Sequence, residues 1–196
     1  MNFDFLNTNL FDLLVFKKNY YFKSKPFLLS LDLSPLEYFL TDRFIQHNNF
    51  IQDPSNWEVS KDEKTAFFNR PELIDQILIS YNKFMKLDLT DQINFLINDE
   101  YGYLLPDISH GTWELLEVPV SSLTMPSVIH SKNLAKDITD DYLVQLQGGK
   151  DLVGGLFIPK NEHFRLIDGY HRLTALKQFF SNEHLVQIIS FQPLEQ

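Results

Sequence analysis

Phe164-Arg165-Leu166-Ile167-Asp168-Gly169-Tyr170-His171-Arg172-Leu173-Thr174-Ala175-Leu176-Lys177 is the stretch on which the reading of this chain turns. Phe164, Leu166 and Ile167 crowd apolar side chains into a few residues, as a strand does. Asp168-Gly169 is a turn signal. Leu173, Leu176 and Phe180 then follow the three-to-four spacing of a buried helical face. A strand that breaks at glycine into a helix presents unsatisfied helical N–H groups at the end of a sheet edge, a favourable place for an anion. His171 and Arg172 fall in the first helical turn, where the helix dipole disfavours cations unless something negative is bound. That conflict points to an anion at the turn, and phosphate is the natural reading.

The chain after Trp113 alternates strands and helices. Leu115 to Val120 reads as a strand, with Ser121-Ser122-Leu123 as its exit. Thr139 reads as the N-cap of a helix over 140–147, stopped by Gly148-Gly149. Gly154 to Pro159 reads as a strand, and Lys160 to His163 as a hairpin turn into the opening stretch. Leu185 to Phe191 reads as a final strand. The order strand, helix, strand, strand, helix, strand describes a small α+β module.

The first half reads differently. Ser34-Pro35 with Glu37 signals a helix start, and Leu36, Phe39, Leu40 and Phe44 would face inward as far as Gln46. Pro26 to Leu31 reads as a short strand. Residues 47–63 are polar, with turn signals at Asn48-Asn49 and Asp53-Pro54, and read as a mobile loop. A second helix is expected from Glu72 to Phe84, carrying Leu73, Ile77 and Tyr81. A third should be capped at Thr90-Asp91, with Ile93, Leu96 and Ile97 inward. Residues 98–112, with Gly102, Pro106 and Gly111, read as a linker. Periodicity leaves residues 3–22 undecided between helix and strand. The expected division is a mainly helical region over 1–105 and the α+β module over 106–196.

Composition narrows the function. The chain has 196 residues, 44% hydrophobic, with 18 phenylalanines and no cysteine. Thiolate zinc sites, disulfides and cysteine nucleophiles are thereby excluded. No apolar run is long enough to span a membrane, and the N-terminus lacks the basic-then-apolar pattern of a secretory signal, so a cytoplasmic protein is expected. Net charge is −9, divided as −6 over residues 1–110 and −3 over 111–196. Neither half looks like a duplex-DNA binder working by counterion release.

Asp168-Gly169-Tyr170-His171-Arg172-Leu173-Thr174-Ala175, set among these strands, resembles the signature of the ParB/sulfiredoxin superfamily. Glu117-Val118-Pro119-Val120-Ser121-Ser122-Leu123 is similar to the family's first strand. Met125-Pro126-Ser127-Val128 resembles the loop that follows it in sulfiredoxins, and Gly154-Gly155-Leu156-Phe157-Ile158 stands where the family has the strand before the signature hairpin. The resemblance covers roughly residues 113–192. It implies a nucleotide partner, with ATP as cofactor. The backbone N–H groups of Gly169, Tyr170, His171 and Arg172 would cradle its phosphates, His171 and Arg172 would neutralise them, and Ser127 would add a contact. Asp168 would hold magnesium or orient His171. Asp168, His171 and Arg172 are thus the implied catalytic residues.

Departures from the family patterns narrow the activity. Tyr170 stands where sulfiredoxins need cysteine. Only 16 residues follow Phe180, where partition proteins place a helix-turn-helix domain. Residues 124–133 hold no acid, where the related serine kinases keep their catalytic glutamate. The resemblance that remains is to small plasmid- and phage-borne members, including fertility-inhibition factors, for which ATP hydrolysis or phosphoryl transfer and DNA cleavage are implied. DNA is therefore an implied partner, against the sign of the net charge.

Each site residue also has a plainer reading. Gly169 need only supply a positive φ. Arg172 could be an ion-pair partner, His171 a structural histidine, Asp168 an N-cap and Ser127 a loop residue. His47, His110, His130, His163 and His184 show no metal-ligand spacing, so no structural metal is expected. Trp57 and Trp113 read as core. Lys132, Lys136, Lys160 and Arg165 read as solvated. The alternative function is a non-enzymatic interaction protein that binds a partner protein through its acidic, aromatic-rich N-terminal half.

Overall fold

A computed structural model describes residues 15–17, 33–59, 65–97, 111–126 and 136–194. The chain is α+β and divides into two compact units, Met1–Gln92 and Ile93–Gln196.

In the first unit, α1 (Pro35–His47) begins as the sequence indicates. Ser34 Oγ accepts from the Glu37 backbone N–H at 3.3 Å, and Glu37 Oε2 accepts from the Ser34 N–H at 3.0 Å, a reciprocal capping box. Phe39, Leu40 and Phe44 are buried, while Leu36 is half-buried. α3 (Pro71–Met85) buries Ile74, Ile77, Tyr81 and Phe84, and the Phe44 ring meets those of Tyr81 and Phe84 at centroid distances of 5.2 and 5.4 Å. Thr41 on α1 bonds the buried Tyr81 hydroxyl at 2.9 Å.

Much of the expected loop over 47–63 is ordered structure instead. Asn48 Oδ1 accepts from the N–H groups of Phe50 and Ile51 and so caps a single turn, α2 (Asn49–Gln52). Asp53 caps the 3-10 turn Pro54–Asn56. β2 (Trp57–Val59) comes next, and Trp57 buries its ring while Nε1 donates to the Ile51 carbonyl at 2.8 Å. The polar residues that suggested a loop are the caps of short elements. β1 (Val15–Lys17), β3 (Thr65–Phe68) and β2 form an antiparallel sheet in the order β1-β3-β2, which periodicity did not reveal in strands of three and four residues. The expected strand over 26–31 lies outside the described residues.

α4 (Leu89–Ile97) contains the boundary between the units. Its first turn is capped by Asp88, whose Oδ1 accepts from the Asp91 N–H at 2.9 Å, and not by Thr90-Asp91. Most of the expected linker, residues 98–110, lies outside the described residues.

The second unit is a five-stranded mixed sheet in the order β4-β8-β6-β7-β5. β4 (Gly111–Pro119) pairs antiparallel with β8 (Leu185–Pro193) along its whole length. β6 (Leu156–Lys160) runs parallel to β8 and antiparallel to β7 (His163–Asp168), through a tight turn with Asn161 at φ 57°. The two-residue β5 (Leu123–Thr124) lies parallel to the start of β7. β7 is thus flanked by β6 along its length and by β5 only at Phe164 and Arg165.

Two helices supply the core of this unit: α5 (Lys136–Gln147), and α6 (Tyr170–Phe179) after β7. Tyr142 and Leu146 of α5 join Leu173, Ala175 and Leu176 of α6 over Val118, Phe157, Leu166, Val186 and Ile188 of the sheet. Alternate residues of each strand enter this cluster, as strand periodicity requires. Phe180, placed by its spacing on the helix face, is the C-cap in extended conformation, and its ring stacks on His184 at 3.7 Å.

Candidate functional site

The geometry of the β7–α6 turn stems from a close backbone crossing. Gly169 is the N-cap of α6, with φ 110° and ψ 30°. A Cβ there would lie 2.7 Å from the Gly154 carbonyl oxygen and 2.9 Å from Gly155 Cα. Gly155 has φ 137°, and a Cβ on it would lie 2.1 Å from the Asp168 carbonyl oxygen. Both positions therefore need glycine for space as well as for conformation. The register slips beside the crossing: Leu156 faces Asp168 while Phe157 faces Leu166, leaving Ile167 as the extra residue of a bulge. On the other side, Gly154 N donates to the Gln187 carbonyl at 2.7 Å and Ile189 N to the Gly155 carbonyl at 3.0 Å, which ties the crossing to β8.

The helix leaves this turn without a side-chain cap and with no acidic residue in its first turn. Leu173 N donates to the Gly169 carbonyl at 2.9 Å, closing the first helical turn. The positive end of the helix dipole thus meets two basic side chains, His171 and Arg172.

Arg172 is not a surface residue. It is 4% exposed, and its guanidinium carbon lies 5.8 Å from the centre of the Tyr142 ring on α5. That is a cation–π contact away from bulk water. His171 is half-buried, with Nδ1 3.3 Å from Thr139 Oγ1, also on α5. Tyr170 is half-buried against the core cluster, and its carbonyl accepts from Thr174 Oγ1 at 2.8 Å. Asp168 is buried at the end of β7. Asp168, Tyr170, His171 and Arg172 all make further contacts within the protein.

No protein-family model matches the chain, and no curated protein matches it significantly.

Gly169, Tyr170, His171 and Arg172 are thus consecutive around one turn, with Asp168 immediately before it. Ser127 lies outside the described residues, as does His130. Among the described residues no three His, Asp or Glu side chains gather as a metal would need. Nor is any described helix long and apolar enough to cross a membrane. Lys160 is exposed on the β6–β7 hairpin, and Arg165 is half-buried on β7.

Two residues here escaped the sequence reading. Thr139 is not an N-cap: α5 begins three residues earlier, and Thr139 is buried inside the helix. Tyr142 had no assigned role. The signal was present in their spacing, since Thr139, Tyr142 and Leu146 recur at three and four residues and share one face. Reading threonine as a cap moved the helix start and hid that face.

Proposed function

We propose that the second unit binds the phosphates of a nucleotide at the start of α6, with ATP as the ligand and its hydrolysis or phosphoryl transfer as the reaction, the activity that the ParB/sulfiredoxin-like resemblance implies. The observation that carries this reading is the position of Arg172. A guanidinium 4% exposed stands in the first turn of a helix whose N-cap is a glycine and whose first turn has no acid. A cation so placed lies against the helix field, and a bound anion reverses the sign of that interaction. Backbone N–H groups at a helix start, with arginine and histidine beside them, are the parts that phosphate recognition uses.

In this reading Gly169 lets the chain turn without a side chain between the helix start and the ligand. Arg172 and His171 neutralise the phosphate oxygens, and positioning with charge neutralisation is most of what phosphoryl transfer asks of a protein. Asp168 is the residue that would hold magnesium. One carboxylate together with phosphate oxygens and water is an ordinary way of binding that ion, which supplies further charge neutralisation.

The test is calorimetric titration with ATP and ADP in magnesium, with ATP turnover in parallel. The wild-type protein binds, while His171→Ala and Arg172→Lys each weaken binding by about tenfold or more, the scale of a lost charge-assisted contact. Absence of binding by the wild-type protein overturns the site, and unchanged turnover in both variants overturns the mechanism. DNA cleavage, the other implied activity, would be magnesium-dependent and lost in Asp168→Asn.

A second reading, a non-enzymatic interaction protein, draws on the first unit. Phe50, Ile79 and Leu87 are large apolar side chains between 40% and 55% exposed there, on an acidic background. Capture of a partner that survives Arg172→Lys but not Ile79→Asp would favour it.

A further inference from the structure

We propose that β4 is a docking edge, which takes an extended basic segment of another protein as an added strand of the second unit's sheet. The inference is independent of the phosphate reading of the α6 start. β4 and β5 are the two end strands of the sheet, and they differ. β5 has two residues. β4 has nine, its register with β8 runs without a shift from Gly111 to Pro119, and its one proline is the last residue. Proteins usually avoid edges so long and regular, because a row of open N–H and C=O groups accepts any further strand.

The bonds of β8 show which groups of β4 face outward. Ile189 N donates to the Gly155 carbonyl, and the Gln187 carbonyl accepts from Gly154 N, so both residues address the β6 side. A strand residue turns its N–H and C=O to one side, and its neighbours turn theirs to the other. Val186, Ile188 and Ser190 then address β4, where they stand opposite Val118, Leu116 and Glu114. Leu115 and Glu117 consequently direct their backbone groups out of the sheet, and among the described residues no strand pairs with β4 on that side.

The side chains beside this open stretch specify the partner. Glu114, Leu115 and Glu117 are exposed, and Leu116 is half-buried. Neither β4 nor β8 carries a basic residue, and the register sets Glu114 opposite Ser190 and Glu117 opposite Gln187. Neither carboxylate is thus balanced across the strand pair. An extended segment with basic residues three apart around two apolar ones sets a cation opposite each glutamate and its apolar pair opposite Leu115 and Leu116. A second copy of this chain would bring the same glutamates and a net charge of −9, so like charge opposes it.

The experiment is amide hydrogen exchange by NMR on the ¹⁵N-labelled full chain, titrated with a short synthetic peptide in which two lysines flank two valines. In the free protein the amides of Leu115 and Glu117 should exchange at least about tenfold faster than those of Glu114, Leu116 and Val118. The peptide should slow them. Binding should weaken about three- to tenfold in the double variant Glu114→Gln, Glu117→Gln. It should be lost when alternate backbone nitrogens of the peptide are methylated, and absent when glutamates replace its lysines. Slow exchange at Leu115 and Glu117 in the free protein overturns the proposal and requires no variant to fold. If that protection disappears on dilution, a second copy is the occupant instead. Equal binding of the methylated peptide overturns strand addition. No binding of the lysine peptide overturns the proposal too, and leaves the glutamates as charges that keep other strands away.

Discussion

Gly155 and Gly169 are fixed by contact rather than by flexibility. A methyl group on Gly155 would sit 2.1 Å from a backbone carbonyl oxygen, which cannot rotate away as a side chain can. Gly155→Ala is therefore expected to cost at least about 3 kcal/mol, combining left-handed strain with displacement of the β6–β7 crossing. Gly149 is the control: its φ of 78° is also left-handed, but nothing lies within 4 Å of the added carbon. Gly149→Ala should cost about 1–2 kcal/mol, the strain alone. Urea denaturation of the two variants checks the contrast. Tyr81 shows a different residue-level effect. Burial raises its phenol pKa, outweighing the Thr41 hydrogen bond, which lowers it. Above pH about 10 the unfolded chain releases this proton while the folded chain retains it. Stability present below that pH is thus lost as pH rises through the folded value. The melting temperature should fall above pH about 10, and Tyr81→Phe should flatten that fall.

At the scale of elements, the helix starts can be tested one by one. Ser34→Ala removes one half of the capping box of α1 and should cost about 1 kcal/mol. For α4, Asp88→Ala should cost a similar amount and Thr90→Ala less, because it is Asp88 that accepts the Asp91 N–H. Equal losses in thermal unfolding would contradict that assignment. α1 was legible because serine, proline and glutamate occur there in the order that a capped start requires. α5 was misread by the same logic applied one turn too late: Thr139 has the chemistry of a cap but is spent on a contact to His171. The loop over 47–63 was misread because Asn48 and Asp53 signal a turn equally well between long elements and inside a chain of short ones. Local residue type gives the turn signal; it does not report the bond from the buried Trp57 indole to the Ile51 carbonyl that ties these short elements together.

At the scale of the molecule, the boundary between units falls at Gln92/Ile93, inside a helix. Asn94 belongs with the second unit, where its Oδ1 accepts from Trp113 Nε1 at 3.3 Å. A fragment over 93–196 is accordingly expected to melt at a higher temperature than one over 106–196, with a difference of about 1 kcal/mol from that bond alone. Equal melting temperatures would show that residues 93–105 add nothing to the second unit. The sequence placed the boundary at 105/106 because glycine and proline cluster there, and composition cannot report that a helix before the cluster reaches a tryptophan after it.

The amino-acid order alone specified the α+β class, the capped start of α1, the strand–glycine–helix turn at Asp168-Gly169-Tyr170 and the helix and strands around it. Those features are written in spacing and turn chemistry over a few residues, and local sterics act over the same range. It took the packed chain to establish that β7 lies between β6 and the two-residue β5, that Gly155 and Gly169 cross backbone to backbone, and that Arg172 is buried on Tyr142 with His171 beside Thr139. These contacts join residues far apart in the chain, and they are fixed by which helix face the sheet leaves room to bury, a choice that no local pattern contains.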